Sequence, residues 1–139
     1  MSVAEGMRMA VTGGTCRGAN LPGLEVCGKT GTAQNPHGRD HSVFMGFAPM
    51  NDPKIAICVF VENGGFGATL GVPIGAIMIE RYLRGELTPG IQAKANHMAS
   101  ISTFSTKLYG AKTPDAKTVV LKPDSTRFKT TTQLKAIKK

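Results

Sequence analysis

What this 139-residue sequence lacks narrows its chemistry first. It contains neither CxxC nor HExxH, and Cys16, Cys27 and Cys58 are odd in number without metal-ligand spacing. Neither a zinc site nor a disulfide scaffold is indicated, and no metal or cofactor is assigned. Cys58, inside Ile57-Cys58-Val59, reads as a small buried hydrophobe. His37, His41 and His97 fall in loop-like sequence, with nothing to pair any of them with a cysteine as base and nucleophile. Glycine is plentiful, yet neither GxxxxGK[ST] nor GxGxxG occurs, so Gly64-Gly65-Phe66-Gly67 is not read as a phosphate cradle.

Long apolar runs are also missing. Residues 55–61 fall far short of the roughly 20 residues a membrane helix needs, and residues 70–79 are broken by glycines and Pro73. No signal-peptide pattern opens the chain, so the chain taken alone is expected to be soluble and not exported. Acidic residues are scarce, nine against 17 basic, for a net charge of +8. The excess is local: residues 1–84 carry seven basic against six acidic side chains, whereas residues 85–139 carry ten against three. Such a tail reads as solvated and disordered, with salt-sensitive attraction to anionic lipid, wall polymer or nucleic acid as the functional alternative. It holds no nucleic-acid motif, and Phe104, Tyr109 and Phe128 are its aromatics, so no nucleic-acid partner is assigned. The expected division is a compact part over 1–88 and a basic, largely irregular tail over 89–139, in which Thr118-Val119-Val120-Leu121 could form an edge strand.

The compact part has a readable order of elements. Ser2, with Glu5 three positions on, predicts a capped helix ending at Gly13-Gly14. Three strands are expected at 26–34, 42–50 and 54–62, separated by Asn35-Pro36-His37-Gly38-Arg39-Asp40 and Met50-Asn51-Asp52-Pro53. In the second, Val43, Met45 and Phe47 share one face and Phe44, Gly46 and Ala48 the other. Ile55-Ala56-Ile57-Cys58-Val59-Phe60-Val61 is apolar and rich in β-branched residues, as a central strand buried on both faces would be. A helix over 69–84 should pack Leu70, Ile74, Ile77, Met78 and Tyr82 on the sheet and stop at Gly85. The fold class is α+β: a three-stranded antiparallel meander with N- and C-terminal helices packed on it.

The stretch carrying chemistry is Cys27-Gly28-Lys29-Thr30-Gly31-Thr32-Ala33-Gln34. A glycine inside a strand gives up packing, and close approach of a ligand backbone is one reason to accept it. An ammonium and two hydroxyls suit a carboxylate and the carbonyl beside it, and a strand edge can add backbone bonds to an extended peptide. A plain surface strand with a charged lysine fits the same residues.

Lys29-Thr30-Gly31 resembles the third signature of the serine penicillin-recognising enzymes. The likeness extends through Gly28-Lys29-Thr30-Gly31-Thr32-Ala33-Gln34, Asp40-His41, Phe44-Met45-Gly46-Phe47-Ala48-Pro49 and the apolar strand ending at Glu62. Over roughly residues 1–88 the chain is similar to the C-terminal part of the transpeptidase domain of class B penicillin-binding proteins, most like the penicillin-binding protein 2 subfamily of the rod-shape system. The resemblance implies a peptidoglycan D,D-transpeptidase region. Lys29, Thr30, Gly31 and Thr32 would bind the stem-peptide carboxylate or a β-lactam, and Thr32 would also act in catalysis by offering its N–H to the oxyanion hole. It implies, too, a whole protein at the inner membrane facing the periplasm.

Neither Ser-x-x-Lys nor Ser-x-Asn occurs in the sequence. The nucleophile and its base are expected in an N-terminal part of the same transpeptidase, and this chain alone is expected to be inactive. The alternatives are a fragment of a serine β-lactamase or D,D-carboxypeptidase, or a non-enzymatic basic interaction module. The implied chemistry uses a lysine base, so His41 is expected to be structural or solvent-facing.

Overall fold

Helix α1 (Val3–Thr12) starts where the sequence marks it: the Glu5 N–H donates to Ser2 Oγ at 3.2 Å while the Glu5 carboxylate accepts the Ser2 N–H. Two otherwise unpaired donors of the first turn are thereby satisfied. The computed structural model describes residues 1–101, and the expectations for 102–139, including the strand at 118–121, lie outside the described residues. A short 3-10 turn over Arg17–Ala19 then leads to strands β1 (Cys27–Ala33), β2 (His41–Ala48) and β3 (Ile55–Val61). They form an antiparallel meander in the order β1-β2-β3. Helices α2 (Gly71–Arg84) and α3 (Pro89–Ala99) complete the described chain.

The register puts Thr30 opposite Phe44 and Phe44 opposite Val59, so these three share one face of the sheet. That face is the core. Phe44 is fully buried among Val26, Val59, Val72, Ala76 and Ile79, and burying a side chain of this size stabilises by about 2–3 kcal/mol. The room for its ring comes from missing side chains. A Cβ on Gly28 would lie 2.6 Å from the ring, and one on Gly75 of α2 only 2.4 Å from it. Helix α2 therefore buries Gly71, Val72, Gly75, Ala76, Ile79 and Glu80. Met78 and Tyr82, expected in the core, are exposed instead: small residues let the helix approach an aromatic, and the large ones turn outward.

β3 also departs from expectation. Its only neighbour among the described residues is β2, and it alternates, with Val59 buried while Cys58 and Phe60 are exposed. Cys58 is not a buried hydrophobe. Its face, shared with Val43, Met45 and Phe47, has nothing packed across its centre among the described residues, so a continuous apolar run ends up half-covered.

At the end of α2, Gly85 adopts φ +79°, a left-handed conformation that glycine enters without Cβ strain. Helix α3 lies where the sequence shows no clear periodicity. Pro89 occupies its first turn, and Ile91 is its one buried residue. Its anchor is Glu80, 1% exposed, whose carboxylate accepts from the Thr88 N–H at 3.0 Å and from Thr88 Oγ1, and which pairs with Arg84 at 3.3 Å.

Candidate functional site on the first strand

β1 has a partner on one side only among the described residues. Helix α1 packs against its beginning, where Arg8 Nη1 donates to the Val26 carbonyl at 2.8 Å. Farther along, the Lys29 ammonium donates to the Thr30 carbonyl at 2.7 Å. That carbonyl is thus turned away from β2. In an antiparallel strand the outward groups recur every second residue, so the Thr32 N–H and C=O face the same free side.

Strand alternation separates the side chains that the sequence grouped together. Lys29 and Gly31 belong to the open face, Thr30 and Thr32 to the face that α2 covers. Lys29 and Thr32 are exposed and Thr30 is half-buried. They come together only at the edge, through the lysine's reach around the backbone.

Gly31 was expected to admit a ligand backbone. A Cβ there would sit 3.4 Å from Val43 Cβ, while a Cβ on Gly67 would lie 2.5 Å from the Gly31 carbonyl and 3.0 Å from Thr30 Cβ. The close approach in this structure is therefore made by the β3–α2 connection, and it needs glycine at 67. Ser42 holds that connection. Fully buried, its hydroxyl donates to the Phe66 carbonyl at 2.9 Å and accepts the Gly71 N–H at 3.0 Å, capping α2 from a neighbouring strand. Sequence reasoning passed over Ser42 because nothing local distinguishes a serine alternating into a core.

Thr15 was also missed as a site residue. Its Oγ1 lies 3.0 Å from Thr30 Oγ1. Next to it, burial pushes the Cys16 thiol up from its ordinary value, opposed by the Thr15 hydroxyl, the Thr30 N–H and the Lys29 ammonium. Cys16 thus lies against the same stretch of β1. His41 has a structural place: its Nδ1 accepts the Asn63 N–H at 3.0 Å, and its ring lies 5.2 Å from that of Phe60.

Among the described residues no group of three or more histidines, cysteines or carboxylates is placed to hold a metal. Two hollows, of about 400 and 350 Å³, lie beside Arg17, Glu80 and Ile91 and beside Arg39, Phe66 and Thr69. Neither is lined by Lys29, Thr30 or Thr32. Among the described residues the candidate site lies on a strand edge with a strand neighbour on one side only. No helix among the described residues is long and apolar enough to cross a membrane.

Comparison with known proteins agrees with this architecture. The family model for the penicillin binding protein transpeptidase domain matches residues 1–79. Peptidoglycan D,D-transpeptidase PbpA of Mycobacterium tuberculosis is 42% identical over 77 residues, a match covering 48% of this chain and 15% of that protein. Among solved structures, Pseudomonas aeruginosa PBP2 in complex with WCK 5153 superposes with a TM-score of 0.53 at 40% identity, covering 63% of this chain and 20% of that one. The ceftriaxone acyl-enzyme complex of M. tuberculosis penicillin-binding protein A gives 0.54 at 34% identity, over 58% of this chain and 20% of that one.

Proposed function

The chain belongs to the penicillin-binding protein transpeptidase family, and from that premise we propose that it supplies the substrate-carboxylate and oxyanion contacts of a peptidoglycan D,D-transpeptidase. The free edge of β1 carries this reading, because the Lys29 ammonium already rests on an outward carbonyl of the Lys-Thr-Gly-Thr segment. A peptide lying along that edge gains main-chain bonds from the outward N–H and C=O of Thr32. Lys29 and the threonine hydroxyls then hold its terminal carboxylate, and the Thr32 N–H faces the carbonyl oxygen on which charge develops.

The serine that attacks that carbonyl, and its lysine base, are supplied by an N-terminal part of the same transpeptidase, since neither Ser-x-x-Lys nor Ser-x-Asn occurs here. The two M. tuberculosis matches and the P. aeruginosa match bear transpeptidase or penicillin-binding-protein names, which favours cross-linking over β-lactam hydrolysis. The whole enzyme acts at the inner membrane facing the periplasm, with β-lactams as competing ligands.

Titration of the isotope-labelled chain with diacetyl-L-lysyl-D-alanyl-D-alanine tests the contact. Amide signals of Thr30 and Thr32 shift with the free-acid peptide and not with its C-terminal carboxamide, and Lys29→Ala weakens the effect about tenfold, as loss of a charge-assisted bond does. Equal response to both peptides would remove the carboxylate role.

A further inference from the structure

Thr30 cannot serve a ligand well unless its hydroxyl is aimed. The β-branch of a strand threonine restricts χ1, and a hydrogen bond to the hydroxyl selects among the rotamers that remain. In this structure the hydroxyl beside it is Thr15 Oγ1 at 3.0 Å, from the link between α1 and the Arg17–Ala19 turn, and the buried Cys16 thiol next to Thr15 lies against the Thr30 hydroxyl as well. That link is itself pinned on both sides of Thr15. The Gly14 N–H and the Cys16 N–H both donate to the Ala10 carbonyl, at 3.1 and 3.0 Å, and the Arg17 N–H donates to the Gly14 carbonyl at 3.3 Å. Gly14 is required for this arrangement, since a Cβ there would lie 2.9 Å from Ala10 Cα and from its carbonyl oxygen. Thr15 remains exposed, whereas Cys16 beside it is fully buried.

We propose that Thr15 is a positioning residue for the carboxylate contact: it fixes the Thr30 hydroxyl, relaying a bond through the hydroxyl pair so that one proton of the pair points to the ligand. The inference rests on the carboxylate reading of β1 and deepens it. Each hydroxyl is both donor and acceptor, so when Thr15 donates to Thr30 the Thr30 proton is left to donate to the carboxylate. A valine at 15 keeps the shape and removes the relay. A serine keeps the relay and loses a methyl group.

Two readouts on the full chain test this separately. The first needs no ligand: three-bond couplings report the Thr30 χ1 rotamer, expected to be single in the parent and in Thr15→Ser and averaged in Thr15→Val. The second is affinity for the free-acid D-alanyl-D-alanine peptide, expected to fall about fivefold in Thr15→Val and to be restored in Thr15→Ser, a size set by one lost hydrogen bond. An unchanged Thr30 rotamer and affinity in Thr15→Val, with Lys29→Ala still impaired, would overturn the positioning role and leave the carboxylate reading intact. Rotamer averaging in Thr15→Val with no carboxylate-dependent binding by the parent would overturn the carboxylate reading and, with it, the relay's purpose.

Discussion

A thiol's environment decides when it reacts, and the cysteines here differ in theirs. Cys58 is exposed on β3, whereas Cys16 and Cys27 are fully buried and burial raises both thiols above their ordinary value of 9.0. Iodoacetamide on the folded chain should therefore modify Cys58 first, with Cys16 and Cys27 reacting only on unfolding; mass mapping of the alkylated peptides checks the order. The same shifts have a sign for stability. A folded-state value above the unfolded one means the native state holds its protons longer, so the associated stability is full below pH 9.0 and declines as pH rises past it. Melting temperature should fall above that pH, and Cys16→Ala should flatten the fall. Glu80 gives a residue-scale prediction of another kind. Glu80→Ala leaves the Thr88 N–H and hydroxyl without their acceptor, while Arg84 stays exposed and keeps its bond to the Pro22 carbonyl, so it should lower stability by about 1–3 kcal/mol in denaturant titration. Hydrogen exchange should show Pro89–Ala99 losing protection first.

At the scale of elements, glycine has opposite meanings in α1 and α2. In α1, a Cβ on Gly6 meets nothing within 4 Å, and in α2 one on Gly75 would lie 2.4 Å from the Phe44 ring. Gly6→Ala should stabilise by about 0.5–1 kcal/mol through lower chain entropy and better helix propensity. Gly75→Ala should destabilise by about 1–3 kcal/mol through overpacking; paired denaturation curves would read both signs. This contrast also explains what was legible beforehand. The α1 cap, the three strands and the stop at Gly85 are written in local chemistry, in Ser2 and Glu5, in turn residues and in a left-handed glycine. The rotation of α2 is not, because its buried face is chosen by the volume of Phe44 on another strand, and large residues such as Met78 then point outward. Helix α3 has almost no apolar stripe to read, since its anchor is the Glu80–Thr88 bond. The motif at Lys29-Thr30-Gly31-Thr32 was legible as a string; the division of its side chains between two faces, and the Thr15 partner, required the register and the fold.

For the whole molecule, the consequence of half-covering a sheet is an apolar surface that water does not favour. Met45 is 48% and Phe60 55% exposed on the same face, with Cys58 between them in register. Contiguous apolar area of this kind binds amphiphilic dyes and promotes association, and β1 and β3 each leave an edge unpaired among the described residues. The purified chain should therefore bind anilinonaphthalene sulfonate in its native state and grow in apparent size with concentration by light scattering. Replacing both Met45 and Phe60 with glutamate tests the cause: both side chains are substantially exposed, so melting temperature should change little while dye binding and concentration dependence fall together. Persistence of both signals in the double variant would assign the association to the strand edges instead. Adding a proline to β1 or β3 would then distinguish them, because it removes an outward N–H without altering the open face.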